Sequence, residues 1–376
     1  MKSGIVFRLF FVAIVAVAFI AIGTASLDDF PVQRKVGSVV SPKPTVFHPP
    51  SPTATPTPYS SAQAFQTGMV YPRWSTDGYG PKDTGWQQSM SSLHAQTGAA
   101  WIEMPLVFSQ AENANSFFDH VTPSLATFTT GVKAAHAHGY HIFLIPLLTT
   151  RATGGWANLI TFDTTAQEQT WFTAFEKLYT PYIKVAQQNR VEQLSLGTEA
   201  GWLQNNGQTD LWERYIAQVR ALFSGKVTYD TNWGNLEDNP PSWFSSLDYI
   251  GVSEYIPIIS SGYRVDPAQM GALWASTVGE QLDLYAARVH KMLIISEIGY
   301  RDGTDSFFEP WRQTSTTAED QSEQAGAVNA ALSYVAKDEL IHGTFFWGWD
   351  DVGAFSLKNT EAARTIKTWY TQLNLN

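Results

Sequence analysis

The stretch LSLGTEAGW, Leu194 to Trp202, carries the pattern from which the fold is read. A short apolar run over Gln193 to Leu196 ends in a small polar turn that holds Glu199, and a helical pattern follows over Asp210 to Phe223. Strand, polar turn and helix in that order make one unit of parallel α/β architecture. The unit recurs on both sides. Further strands are predicted at Gln66 to Val70, Ala100 to Leu106, His141 to Leu147, Lys226 to Tyr229, Tyr249 to Val252, Met292 to Ile295 and Gly343 to Trp347, which brings the count to eight. Helices are predicted over Gln87 to Gln96, Pro123 to His138, Ala166 to Gln188, Pro267 to Val289, Thr317 to Lys337 and Thr360 to Leu373. Only the gap before the sixth strand, Pro240 to Ser246, is too short for a full helix. Eight βα units over about 315 residues fit a single (β/α)8 TIM barrel better than a doubly wound sheet, and they put reactive side chains where the strands end.

Outside that stretch the composition changes. Lys2 and Arg8 precede Leu9 to Ile22, an uncharged apolar run of 14 residues followed by Gly23-Thr24-Ala25. Residues 1–25 therefore read as a secretory signal or, if the run stays uncleaved, as a membrane anchor; the strictly apolar part falls short of the ~18 residues a span needs. Residues 26–61 are rich in Pro, Ser and Thr and read as an extended tether, which leaves 62–376 as the globular domain. The expected location is secreted or at the outer cell surface, with a membrane tether only at the N-terminus.

The formal net charge of -10 argues against nucleic acid as a partner, since phosphates need a basic face. No cysteine occurs, which excludes disulfides, thiolate metal sites and a cysteine nucleophile. The unusual number is the 14 tryptophans, because a surplus of indole often lines a site that grips flat ligands such as sugar rings.

Two strand ends carry a carboxylate: Glu199 in LSLGTEAGW and Glu297 in IISEIGYRDG, Ile294 to Gly303. Two carboxylates at one barrel mouth are the minimum apparatus for glycoside hydrolysis, one as proton donor and one as nucleophile or base. The bland alternative for each is a helix cap or a surface ion pair. His136, His138 and His141 resemble a metal cluster, but two end a helix and one begins a strand, so they read as structural or solvated. Asp350 and Asp351 read as a turn-forming pair, and Glu254 points away from its neighbour Tyr255 by strand alternation. No metal or cofactor is expected.

The order and spacing of GWANLITFD (Gly155 to Asp163), WFTAFEKLYTPYIKVA (Trp171 to Ala186), LGTEAGW, VTYDTNW (Val227 to Trp233), LDYIGVSEYIP (Leu247 to Pro257), ISEIGYR (Ile295 to Arg301) and FFWGW (Phe345 to Trp349) resemble glycoside hydrolase family 113, the β-mannanases of the large retaining clan of (β/α)8 barrels. The resemblance covers nearly all of Thr67 to Leu373. It implies a retaining endo-β-glycosidase acting on β-1,4-mannan-type polysaccharide or its oligosaccharides, with Glu199 as acid/base, Glu297 as nucleophile and Tyr255 as the tyrosine bonded to the nucleophile. Trp347 resembles the clan's platform beneath the cleaved sugar. Much of the clan has Asn directly before the acid/base, and here Thr198 stands in its place, which leaves the sugar at the cleavage subsite open. Trp233 with Asn232, Trp202, Trp74 and Tyr79 follow strand ends and either stack on sugars or fill space under loops. The same machinery on another β-glycan, and a carbohydrate-binding barrel without catalysis, are the rival readings.

Overall fold

The computed structural model describes residues 64–375 apart from 112, 113, 115, 119–121, 151–154, 262, 263, 315, 316, 351 and 352. The signal or anchor segment, the tether and Asp351 lie outside the described residues.

Eight parallel strands close into a barrel: β1 Gln66–Val70, β2 Trp101–Gln110, β3 His141–Thr150, β4 Gln193–Thr198, β5 Lys226–Asn232, β6 Ile250–Glu254, β7 Leu293–Ile298 and β8 Ile341–Phe346, with β8 pairing back onto β1. Each strand pairs with its chain neighbours in parallel register, which a barrel of right-handed βα crossovers requires. Two short antiparallel ribbons extend the mouth, one placing Phe117–Phe118 against β2 and the other Gly155–Trp156 against β3.

Helices follow the strands at α1 Thr84–Thr97, α2 Leu125–Ala137, α3 Thr165–Gln188, α4 Gly201–Asn206, α5 Thr209–Leu222, α6 Pro267–Trp274, α7 Glu280–Val289, α8 Gln321–Val335 and α9 Glu361–Leu373. Their starts are set by polar caps: Asp83 accepts from the Trp86 N–H, Thr164 and Gln167 form a capping box, and Asp320 accepts from two backbone N–H groups. The short gap before β6 holds only the 3-10 turn Ser242–Ser246, as its length required. The predicted helix Pro267 to Val289 is interrupted. A wider π turn, Ala275–Gly279, separates α6 from α7 where the Tyr334 ring lies so close to Gly279 that an added Cβ would sit 2.4 Å from it.

Strand alternation divides the core in two. Met69, Ile102, Leu144, Leu194, Val252 and Phe346 face the helices, whereas Val70, Phe143, Ile145, Ile294 and Phe345 fill the barrel. The Phe345 ring lies across β1, and a Cβ at Gly68 would stand 2.1 Å from it, so glycine is required there. Alternation ends with β8 at Phe346. Phe345 and Trp347 belong to the interior, whereas Trp349 joins the outer core.

Candidate active site

Glu199 stands one residue past β4 with φ 51, a left-handed backbone that a non-glycine residue adopts only where the surroundings hold it. Two bonds hold it: its N–H donates to the Asp230 carbonyl at 2.9 Å, and its own carbonyl accepts from the Gly201 N–H at 2.9 Å. The carboxylate is fixed as well. Asn232, the last residue of β5, donates its amide to Oε1 at 2.7 Å, and the Trp156 indole donates to Oε2 at 3.1 Å. Gly234 N–H donates to the Asn232 Oδ1 at 2.8 Å, so the amide is oriented with its N–H toward Glu199.

Glu297 lies on β7 opposite Ser253 of β6. Tyr255, two residues beyond Ser253 and on the same face, donates its hydroxyl to Glu297 Oε1 at 2.6 Å. The barrel therefore brings Glu199, Glu297, Tyr255 and Asn232 to one mouth from four strand ends.

Burial raises the proton affinity of both glutamates. For Glu199 the donors Asn232 and Trp156 offset part of the cost, whereas Glu297 is raised well above the usual range by burial and then by the charge of Glu199, with Tyr255 opposing. The Glu199 charge thus penalises ionisation of Glu297, so the two carboxyls do not ionise easily together.

Two more acids lie inside the barrel, and the sequence alone did not single them out. Asp230 on β5 is buried between the hydroxyls of Ser253, at 2.9 Å, and Ser296, at 2.5 Å, and burial with the nearby Glu199 charge pushes it up to about 8. An added Cβ at Gly251 would meet the Ser296 Oγ at 2.7 Å, so this glycine leaves room for the contact. Glu103 on β2 is buried too, and its carboxyl is raised well above the ordinary range, first by burial and then by Asp230 and Glu297.

The aromatic residues separate into different places. Trp347, 9% exposed, ends the barrel interior and meets Trp74 at 6.1 Å between ring centroids. Trp233 stacks on Trp311 at 5.5 Å with 22° between the planes. Trp156, at 36% exposed the most open of the indoles at the mouth, bonds the acid; its role was invisible in sequence because a two-residue ribbon places it there. Trp202 on α4 is half-buried with its ring edge-on to Phe162, which is packing beneath the loop.

Of the two alternatives for Tyr79, stacking on a sugar or filling space under a loop, the structure shows the second. Tyr79 is not in the cleft: it is fully buried, its hydroxyl donating to the carbonyls of Tyr71 and Pro105, because the loop after β1 folds back over the Trp86 ring. Thr198 is buried in the barrel wall, and its hydroxyl donates to the Pro146 carbonyl at 2.7 Å, since the last residue of a strand is still bound by its neighbour.

Glu254 is buried, accepts from the Ile256 N–H at 2.9 Å and turns away from the cleft as alternation required. Asp350 is ion-paired with Lys358 at 2.7 Å. His136 and His141 meet at Glu192 by the foot of the barrel, while His138 bonds the Ala134 carbonyl of its own helix. Among the described residues no group of three or more His, Cys, Asp or Glu is arranged to hold a metal ion, and no helix is long and apolar enough to cross a membrane.

The family model of glycoside hydrolase family 113 matches residues 74–371. Among solved structures, the chain is similar to a GH113 β-1,4-mannanase with 22% identity and a TM-score of 0.70, covering 82% of this chain and 99% of that one. It is similar also to the GH113 β-mannanase AaManA from Alicyclobacillus acidocaldarius in complex with ManMIm, with 21% identity and a TM-score of 0.71, covering 83% and 99%. A family 5 mannosidase from Rhizomucor miehei shares the fold more distantly, with 13% identity and a TM-score of 0.54 over 83% and 94%. No curated protein matches the chain.

Proposed function

The chain belongs to glycoside hydrolase family 113, and from that premise we propose that it is a retaining endo-β-glycosidase that cleaves β-1,4-mannan-type polysaccharide by double displacement. The observation that carries the mechanism is the pair of partly buried carboxyls at the mouth, one fixed by Asn232 and Trp156 and the other by the Tyr255 hydroxyl. In the first step a Glu297 carboxylate oxygen bonds to the anomeric carbon as the glycosidic C–O bond breaks, and the Glu199 proton passes to the departing oxygen. In the second, Glu199 takes a proton from water, the water oxygen bonds to the anomeric carbon, and the bond to Glu297 breaks.

Tyr255 supports the nucleophile in a specific way. A phenol that donates to a carboxylate favours its charged form and aims one oxygen, which a partly buried glutamate with a raised proton affinity needs in order to attack. Trp347 with Trp74 offers an indole wall beside the reacting sugar, where C–H groups meet the ring face and water is excluded from the developing positive charge.

The choice of mannan rests on the family and on the mannan-active relatives that share the fold. Reducing-end release on mannan, glucomannan, xylan and mixed β-glucan tests it. Mannan or glucomannan cleaved at least about 10-fold faster than the others is the expected result, and preference for β-glucan would replace the sugar while keeping the chemistry. Residues 1–61 fit export followed by a tether, a reading that N-terminal sequencing of protein recovered from the producing cell's surface and medium checks.

A further inference from the structure

We propose that Trp311, stacked on Trp233, forms the binding site for the sugar on the leaving-group side of the scissile bond, and that the buried guanidinium of Arg301 sets its position. The inference rests on Glu199 being the proton donor. A donor delivers its proton to the departing oxygen, so the sugar that leaves lies beyond it. Trp233 directly follows Asn232, whose amide holds Glu199 at 2.7 Å, and Trp233 opens the 3-10 turn Trp233–Asn235.

The mouth carries two separate indole pairs. Trp74 and Trp347 stand over β1 and β8, and Trp233 and Trp311 join the loops after β5 and β7. Trp347 belongs to the interior cluster that contains Tyr255, and Trp74, Trp233 and Trp311 pack against that cluster. The second pair is the one tied in sequence to the residue that holds the donor. Each of its two rings is only partly buried, which leaves indole surface at the mouth for the C–H face of a pyranose ring.

The loop bearing Trp311 is built as a rigid support. Arg301 has a fully buried side chain and pairs with the Asp305 carboxylate at 3.3 Å. Its Nη2 donates to the carbonyls of Asp305 at 2.7 Å and Phe308 at 2.9 Å, and its Nη1 donates to the Glu309 carbonyl at 2.6 Å. A planar, permanently charged fork that gathers successive carbonyls fixes the backbone around it. Trp311 is therefore held in place before substrate arrives, so little ordering is required on binding.

The test is the position of the bond cut in 1,4-β-mannohexaose carrying 18O at its reducing end, read as product masses for the wild type and Trp311→Ala. Loss of binding on the leaving side lets the chain slide so that fewer sugars occupy it. The expected result is a shift of the main cut toward the reducing end, with kcat/KM about 10-fold lower. Trp311→Phe keeps a ring and should shift the pattern less in the same direction, and melting curves for both variants report the fold. An unchanged pattern in a folded Trp311→Ala protein overturns the proposal and leaves the stack as packing. A shift toward the non-reducing end overturns it too, by placing Trp311 on the other side of the cut. If the wild type spares mannohexaose but cuts cellohexaose, the mannan reading fails and the same comparison is made on cellohexaose. A wild type that cuts neither overturns both.

Discussion

Glu192 and Glu199 sit at the two ends of the same strand, just before and just after β4, and their surroundings push them in opposite directions. At the foot, burial opposes ionisation of Glu192, but His136, His141 and the Ile142 N–H all bond its carboxylate and together bring it down to about 2. At the mouth, Glu199 also accepts hydrogen bonds, but from a neutral amide and a neutral indole, and burial prevails. Partners that can carry positive charge compensate a buried carboxylate, and neutral donors only orient it. The foot uses its acid to fasten β3 to β4, whereas the mouth keeps its acids costly to ionise and hence ready to exchange protons.

The largest test of that contrast removes the acids at the mouth. Glu297→Ala should lose activity by about 10⁴-fold or more, since it removes the carboxylate assigned to bond the anomeric carbon. Glu199→Ala should lose about 10² to 10⁴-fold on mannan. With an aryl β-glycoside whose leaving group departs unaided, azide should restore turnover to the Glu199 variant and give a β-glycosyl azide. An α-azide from that variant would exchange the two roles.

Tyr255→Phe sharpens the comparison from the side of the partner. It deletes one donor to Glu297 without opening a cavity, so kcat/KM should fall by about 10- to 100-fold, the worth of a hydrogen bond to a charged group. The Tm should stay nearly unchanged. A variant that keeps full activity would mean the phenol only fills space.

Asp230 tests whether burial alone sets the mouth's chemistry. Its carboxyl lies near 8 in the fold against an ordinary 3.8, so its contribution to stability is fully present below about 3.8 and is lost as pH rises through about 8. Between pH 5 and 8 the wild type should therefore lose more Tm than Asp230→Asn, by roughly 5 °C. Parallel melting curves for the two proteins would show that Asp230 ionises at no such cost.

The smallest effect is expected at the foot. Glu192 lies low in the fold, so its contribution is present above its ordinary value of 4.5 and is lost as pH falls through about 2. The group is partly exposed, and screening reduces its worth, so Glu192→Gln should lower the Tm at pH 7 by roughly 1 to 3 °C with activity unchanged. The difference should shrink as pH is lowered toward 2.

The strands, the helices and the two glutamates were legible because they depend on local pattern. Apolar runs of strand length between helical periods mark β1 to β8 within a few residues, and a carboxylate immediately after such a run must stand at the mouth once the strands are parallel. Other features depend on chain segments that no periodicity relates. Tyr79 follows a strand end as Trp74 does, yet only closure of its loop over Trp86 decides that it is core. Trp156 and Trp311 reach the cleft through a two-residue ribbon and an arginine-centred loop. Asp230 acquires its proton affinity because three strands bring Ser253, Ser296 and Glu199 around it. The sequence by itself determined which residues alternate, where helices begin and which acids end strands, since those follow from backbone geometry and side-chain period. Tertiary structure alone decided which side chains share a low-dielectric space, because burial and charge coupling arise only when distant strands close into one barrel.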